Sequence, residues 1–137
     1  MANYDQVKHL EFIQSAITRM AQNSFMCKGW TITLFSALVV IGYSISKPLP
    51  EYYPWIFYVV LLSFWFLDSY YLRLERLFRK LYDDVRTNDY TLNPYSMVVV
   101  SFISKVQSIP RIMFSASEWP IYIPLMVIIG LVYYFSK

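Results

Sequence analysis

Tyr52-Tyr53-Pro54-Trp55-Ile56-Phe57-Tyr58-Val59-Val60-Leu61-Leu62-Ser63-Phe64-Trp65-Phe66-Leu67 leads straight into Asp68-Ser69-Tyr70-Tyr71-Leu72. The chain then continues as Arg73-Leu74-Glu75-Arg76-Leu77-Phe78-Arg79-Lys80-Leu81-Tyr82-Asp83-Asp84-Val85-Arg86. From Pro54 to Arg86 there is no glycine and no second proline, so nothing in the stretch breaks a helix. A helix of this length is on the order of 50 Å long, whereas a bilayer core is ~30 Å thick. The first half is apolar and the second half is charged. The stretch therefore predicts one helix, over 54–87, that crosses a membrane and projects beyond it.

Working outward, two more blocks share the character of the first half. Eighteen residues without charge separate Lys28 from Lys47, and another 18 separate Glu118 from Lys137. Each is long enough to span, and the flanking Lys side chains can reach the interface. Hydrophobic residues make up 57% of the 137-residue chain and charged residues only 15%, a balance that argues against a soluble domain. The apolar run beginning near residue 29 lies too far from the start for a cleaved signal peptide. A single cysteine, Cys27, excludes an internal disulfide framework and a cysteine-based zinc site. The fold class expected is an all-α membrane protein with three transmembrane helices, at 29–46, 54–87 (with its extension) and 119–136.

Orientation follows from the basic residues. Lys8, Arg19 and Lys28 precede the first span, and Arg73, Arg76, Arg79, Lys80, Arg86, Lys105 and Arg111 lie between the second and third. The opposite side holds only Lys47 and Lys137. The excess of Lys and Arg places the N-terminus in the cytosol and the C-terminus outside.

The remaining segments predict a cytosolic helical layer. Residues 4–28 carry Val7, Leu10, Ile13, Ile17 and Met20 at steps of three and four, one stripe of an amphipathic helix. The polar face is not strongly basic, which suits packing on other helices better than lying on a membrane surface. Leu74, Leu77 or Phe78, Leu81 and Val85 offer a matching stripe on the extension of the second span. Lys47-Pro48-Leu49-Pro50-Glu51 reads as a tight outer turn, which makes the first two spans an antiparallel hairpin. Thr87-Asn88-Asp89-Tyr90-Thr91 reads as a loop. Asn93-Pro94 is a helix-start signal, and 94–109 reads as a short buried or interfacial helix that ends at Pro110.

Catalytic signatures are lacking. The chain has three glycines, so no phosphate loop, and one histidine, so no multi-histidine metal site. No serine sits in a nucleophile elbow. The expectation is a protein that is not an enzyme and needs no cofactor or metal. The costly residue is Asp68, the only charge between Glu51 and Arg73. Such a carboxylate faces a bundle interior or water and finds a partner. One reading pairs it with Lys28 or Arg73 at the inner interface; the other places it in a ring of carboxylates at the mouth of a pore. Ser24, Lys28 and Thr31 share a face of the first span's helix at i, i+4 and i+7, so Ser24, Lys28, Thr31 and Asp68 are the pore-lining candidates. Arg73, Arg76, Arg79 and Lys80 are candidates for an anionic ligand or anionic lipid.

Two stretches carry a family likeness. Arg19-Met20-Ala21-Gln22-Asn23-Ser24-Phe25-Met26-Cys27-Lys28-Gly29-Trp30 enters the first span, and Phe66 to Tyr82 leaves the second. With weaker echoes at Asn93-Pro94-Tyr95-Ser96 and Phe114-Ser115-Ala116-Ser117, they resemble small bacterial membrane effectors of anti-phage defence operons. These include the channel-forming effectors paired with nucleotidyltransferases in Hailong-type systems. The resemblance spans roughly residues 5–87 and implies a symmetric homo-oligomeric ion channel of the inner membrane whose opening arrests the infected cell. It further implies a nucleotidyltransferase-derived signal or a cytosolic sensor protein as partner, besides membrane lipids and further copies of the chain. No extra ligand-binding domain like that of fuller members is evident in these residues, so the expectation is that a signal acts on the short cytosolic helices or through a separate protein. The competing expectation is a non-conducting membrane scaffold that docks a cytosolic partner.

Overall fold

The computed structural model describes residues 4–45, 50–87 and 95–136. All regular structure among them is helical: α1 (Tyr4–Ile45), α2 (Tyr53–Thr87), a 3-10 turn (Val100–Lys105), α3 (Ile109–Met113) and α4 (Trp119–Ser136). The residues of the outer turn at 46–49, the loop at 88–94 with its Asn93-Pro94 start signal, and Lys137 lie outside the described residues.

Residues 4–28, read as a cytosolic amphipathic helix, and residues 29–45 of the separate span expected over 29–46 form one uninterrupted helix. α1 has 42 residues, on the order of 60 Å of helix. The apolar composition begins at Gly29, but neither Gly29 nor anything else there ends the hydrogen-bond ladder. Gly29 is exposed with no neighbouring atom near the place of a side chain, so it costs only its own propensity. α2 has 35 residues and begins with Pro54 in its first turn, where a missing N–H is harmless. α1 and α2 are each long and apolar enough to cross a membrane; α4 is apolar but shorter, and Pro124 interrupts its ladder.

The two long helices form an antiparallel pair, and its contacts fall into three zones. At the turn end, the Tyr53 hydroxyl donates to the Leu38 carbonyl, and Phe57 meets Phe35 and Tyr53 edge-on at 5.4 and 5.2 Å between centroids. Gly42 makes that seat possible, since a Cβ there would overlap the Tyr53 ring. The middle zone is polar. At the far end, the Gln6 side-chain amide donates to the Val85 carbonyl at 2.8 Å. There Ile13 and Ile17 of α1 pack on Leu77 and Leu81 of α2, as their stripes lead one to expect, and Phe102 of the 3-10 turn completes the cluster. Each such buried side chain contributes about 1.5–3 kcal/mol relative to exposure. Val7, on the same sequence stripe, remains exposed.

Between α2 and α4 the expected single helix over 94–109 is replaced by two short pieces. The 3-10 turn ends at Lys105, and Pro110 lies in the first turn of α3 rather than closing a helix before it. The reason is local: Ser108 has the extended backbone usual for an N-cap, and Pro110 suits the first turn of the helix that follows. His9 bonds the Ser96 carbonyl at 3.0 Å, and Tyr95, at φ 62°, donates its hydroxyl to Asp5 at 3.0 Å. These contacts tie the segment before the 3-10 turn to the start of α1. Most of the apolar surface of α1 and α2 is left exposed, including Phe25, Trp30, Val40, Trp55, Val59 and Phe66. Such a surface needs lipid or other chains against it.

Candidate functional site

The polar middle zone is a charge cluster built by α1, α2 and the start of α4. Helical spacing sets Ser24 and Lys28 one turn apart on the face of α1 that looks at α2. Asp68 comes from α2, Glu118 immediately precedes α4, and Tyr122 lies in α4's first turns. The Lys28 ammonium donates to Asp68 Oδ2 at 2.6 Å, Glu118 Oε1 at 2.9 Å and Ser24 Oγ at 3.1 Å. Its three donors are thereby used. Asp68 also accepts from the Ser24 hydroxyl at Oδ1 and from the Tyr122 hydroxyl at Oδ2, the latter at 2.8 Å. Asp68, Glu118 and Tyr122 are wholly buried, and only the Lys28 side chain reaches the surface, at 16% exposure.

An aromatic brace holds the acceptor side. Trp65, one turn before Asp68 on α2, stacks on Tyr122 at 5.6 Å with an 11° interplanar angle. Its indole N–H donates to the Met113 carbonyl at 3.1 Å, and Phe114 meets it edge-on at 5.4 Å. Trp65 therefore fixes Tyr122 and α3 together, and Tyr122 in turn is aimed at Asp68. Glu118 is positioned by a turn in which its N–H bonds the Ser115 carbonyl at 2.9 Å. There it also meets the positive end of the α4 dipole.

The cluster is unbalanced. One ammonium faces two buried carboxyl groups, and Glu118 Oε2 has no hydrogen-bond partner among the described residues. A buried carboxylate with an orphaned oxygen is expensive, and taking up a proton relieves it. Burial, followed by the neighbouring Asp68, pushes the Glu118 carboxyl up to about 7, with Lys28 opposing.

The pairing of Asp68 with Lys28, one of the two readings of that carboxylate, is what the structure contains. Ser24, Lys28, Thr31 and Asp68 come together, but between the packed helices of a single chain; Ser24, Thr31 and Asp68 are 6%, 1% and 0% exposed. Thr31 spends its hydroxyl on the Cys27 carbonyl at 2.7 Å. The hydroxyls on the outward face of α1, Thr33, Ser36 and Ser44, donate in the same way to carbonyls one turn back. Glu118 and Tyr122 are not among the candidates read from the sequence, where Glu118 only bounds the third uncharged block. The signal that could have found Glu118 is that Lys28 and Asp68 each border an apolar block, and Glu118 borders the third.

The four anion candidates separate. Arg76, Arg79 and Lys80 line a cleft against Lys105 and Gln107, whereas Arg73 is half-buried elsewhere on α2. No family model matches the chain, and no curated protein or solved structure matches it.

Proposed function

We propose that this chain is the subunit of an oligomeric inner-membrane ion channel or pore, opened through its cytosolic helices. In this reading α4 is a third span, the ends of α1 and α2 that pack around Ile13 and Leu77 lie in the cytosol, and the C-terminus lies outside. The observation that carries the reading is the Lys28–Asp68–Glu118 cluster. Buried charge within apolar helices is costly and marks functional positions of membrane proteins. Here it links all three apolar helices at the level where α1 and α2 leave the membrane.

Three helices around a packed cluster leave no room for water within one protomer, so conduction uses a ring of copies. The exposed apolar faces of α1 and α2 supply surface for such a ring. The cluster acts as the closing pin. A displacement of the cytosolic ends, transmitted along the unbroken α1 and α2, separates Lys28 from its carboxylates. Asp68 and Glu118 then face the opened path and favour cations. The resemblance to anti-phage effectors supplies the physiological setting: opening arrests growth of the infected cell. A nucleotidyltransferase-derived signal or a sensor protein would then act on the cytosolic ends.

The test is ion release from liposomes carrying only the purified protein, compared with Lys28→Met, which removes the pin. The expectation is low release from the wild-type protein and greater release from the variant. A stable oligomer that releases nothing in either form refutes conduction and favours the membrane scaffold.

A further inference from the structure

Two turns beyond Asp68, the face of α2 formed by Arg76, Arg79, Lys80 and Asp83 meets the end of the 3-10 turn across an open cleft. The opposite wall brings Lys105 and Gln107. Arg76 Nη1 donates to Gln107 Oε1 at 3.0 Å, which joins the two walls and holds one guanidinium in place. The Lys105 ammonium sits 5.3 Å from the centroid of the Phe102 ring, and Phe102 belongs to the buried core. Arg79 is paired with Glu75 at 2.6 Å, yet remains 65% exposed along its side chain. Four cations thus line a cleft whose only lining acid among the described residues is Asp83. Like charges gathered around a concavity repel unless an anion joins them.

We propose that this cleft binds the dianion of a phosphate monoester. Asp83 on the wall and Glu75 on Arg79 offset two of the four positive charges, and the two that remain exceed what a single phosphodiester charge would neutralise. Guanidinium forks and lysine point charges together match the three oxygens and double charge of a terminal phosphate. The chemistry has two sources, a lipid headgroup such as phosphatidate and a soluble phosphate monoester. The position favours the lipid, because Arg76 lies two turns past Asp68 on α2, from where long basic side chains can reach back to the headgroups. This placement rests on the membrane reading of α1 and α2 and is independent of conduction. A phosphate bridging α2 and Lys105 would hold the 3-10 turn on α2, next to the zone through which the cytosolic ends move.

The experiment uses the purified full-length protein, reconstituted in nanodiscs of phosphatidylcholine. Failure to incorporate at all overturns the membrane reading and with it the lipid assignment. On incorporated protein, binding of spin-labelled phosphatidate is compared with spin-labelled phosphatidylcholine, with glycerol 3-phosphate added as the soluble competitor. The expectation is preferential phosphatidate binding that weakens about fivefold for each cation removed, in Lys80→Gln and Lys105→Gln. Lys8→Gln, a cation outside the cleft, leaves it unchanged. Displacement by millimolar glycerol 3-phosphate supports the phosphate site and assigns it to a soluble ligand; resistance to it assigns a lipid. Equal binding of both lipids, with no effect of Lys80→Gln or Lys105→Gln and no binding of glycerol 3-phosphate, overturns the proposal. Both variants alter exposed or half-exposed positions, and a melting curve identical to wild type confirms that folding is intact.

Discussion

Replacing Lys28 with methionine removes the only cation of the buried cluster while keeping an unbranched side chain of similar length. Three hydrogen bonds are lost, to Asp68, Glu118 and Ser24. Two of their acceptors are wholly buried carboxyl groups. Breaking a buried ion pair from one side costs about 3–5 kcal/mol, because the partner charge stays behind. Two features soften the loss. Asp68 keeps the Ser24 and Tyr122 hydroxyls as donors, and Glu118 can take up a proton. The expected cost is therefore at the lower end, about 3 kcal/mol, or roughly 10 °C in melting temperature for a chain of this size. Intrinsic tryptophan fluorescence during thermal unfolding in detergent is a suitable assay, since Trp65 stacks on Tyr122 at the edge of the cluster. The double variant Lys28→Met/Asp68→Asn should recover part of the loss, because the stranded charge is gone. If Lys28→Met melts within about 0.5 kcal/mol of wild type, the range of ordinary surface changes, the cluster does not hold these helices together.

Glu118→Gln should flatten the pH dependence of stability. With the folded carboxyl raised from 4.5 to about 7, the folded state holds the proton more tightly, so its stability contribution is full below pH 4.5 and is lost as pH rises through 7. Wild-type protein should melt higher at pH 5 than at pH 8, by a margin that shrinks in the variant; equal margins in the two proteins exclude Glu118 as the titrating group. Gly42→Val places side-chain atoms where the Tyr53 ring sits, and should lower stability by about 1–3 kcal/mol in a denaturant titration. Leu77→Ala opens a cavity in the Ile13–Ile17–Phe102 cluster at a cost of about 2–5 kcal/mol, read as faster amide exchange at the far ends of α1 and α2. Trp65→Phe keeps a ring against Tyr122 but loses the bond to the Met113 carbonyl, worth about 1 kcal/mol, and should loosen α3 in the same exchange experiment.

Continuity of α2 was legible because no residue from Pro54 to Arg86 interrupts a helix, and the far-end packing because both stripes repeat at helical steps. Continuity of α1 was harder to read. Composition changes at Lys28-Gly29, and a change of environment looks like a boundary although the backbone continues through it. Pro110 illustrates the opposite ambiguity. The same missing N–H that ends one helix suits the first turn of the next, and the extended Ser108 decides between them. Within the candidate site, Asp68 announced itself as a lone charge and Lys28 as a possible partner 40 positions away. Glu118 and Tyr122 were hidden because their roles depend on how α4 docks, and an apolar helix carries little sequence signal for its rotation. The Trp65–Tyr122 stack was invisible for the same reason: both rings suit a lipid boundary as well as a brace.

A direct image of the purified particle in lipid nanodiscs tests the central claim. The account expects a closed ring of identical copies around a central opening, with α1 or α2 lining it and Lys28, Asp68 and Glu118 joined within each copy. A monomer, or an assembly without a path along its axis in both the wild type and Lys28→Met, would contradict it.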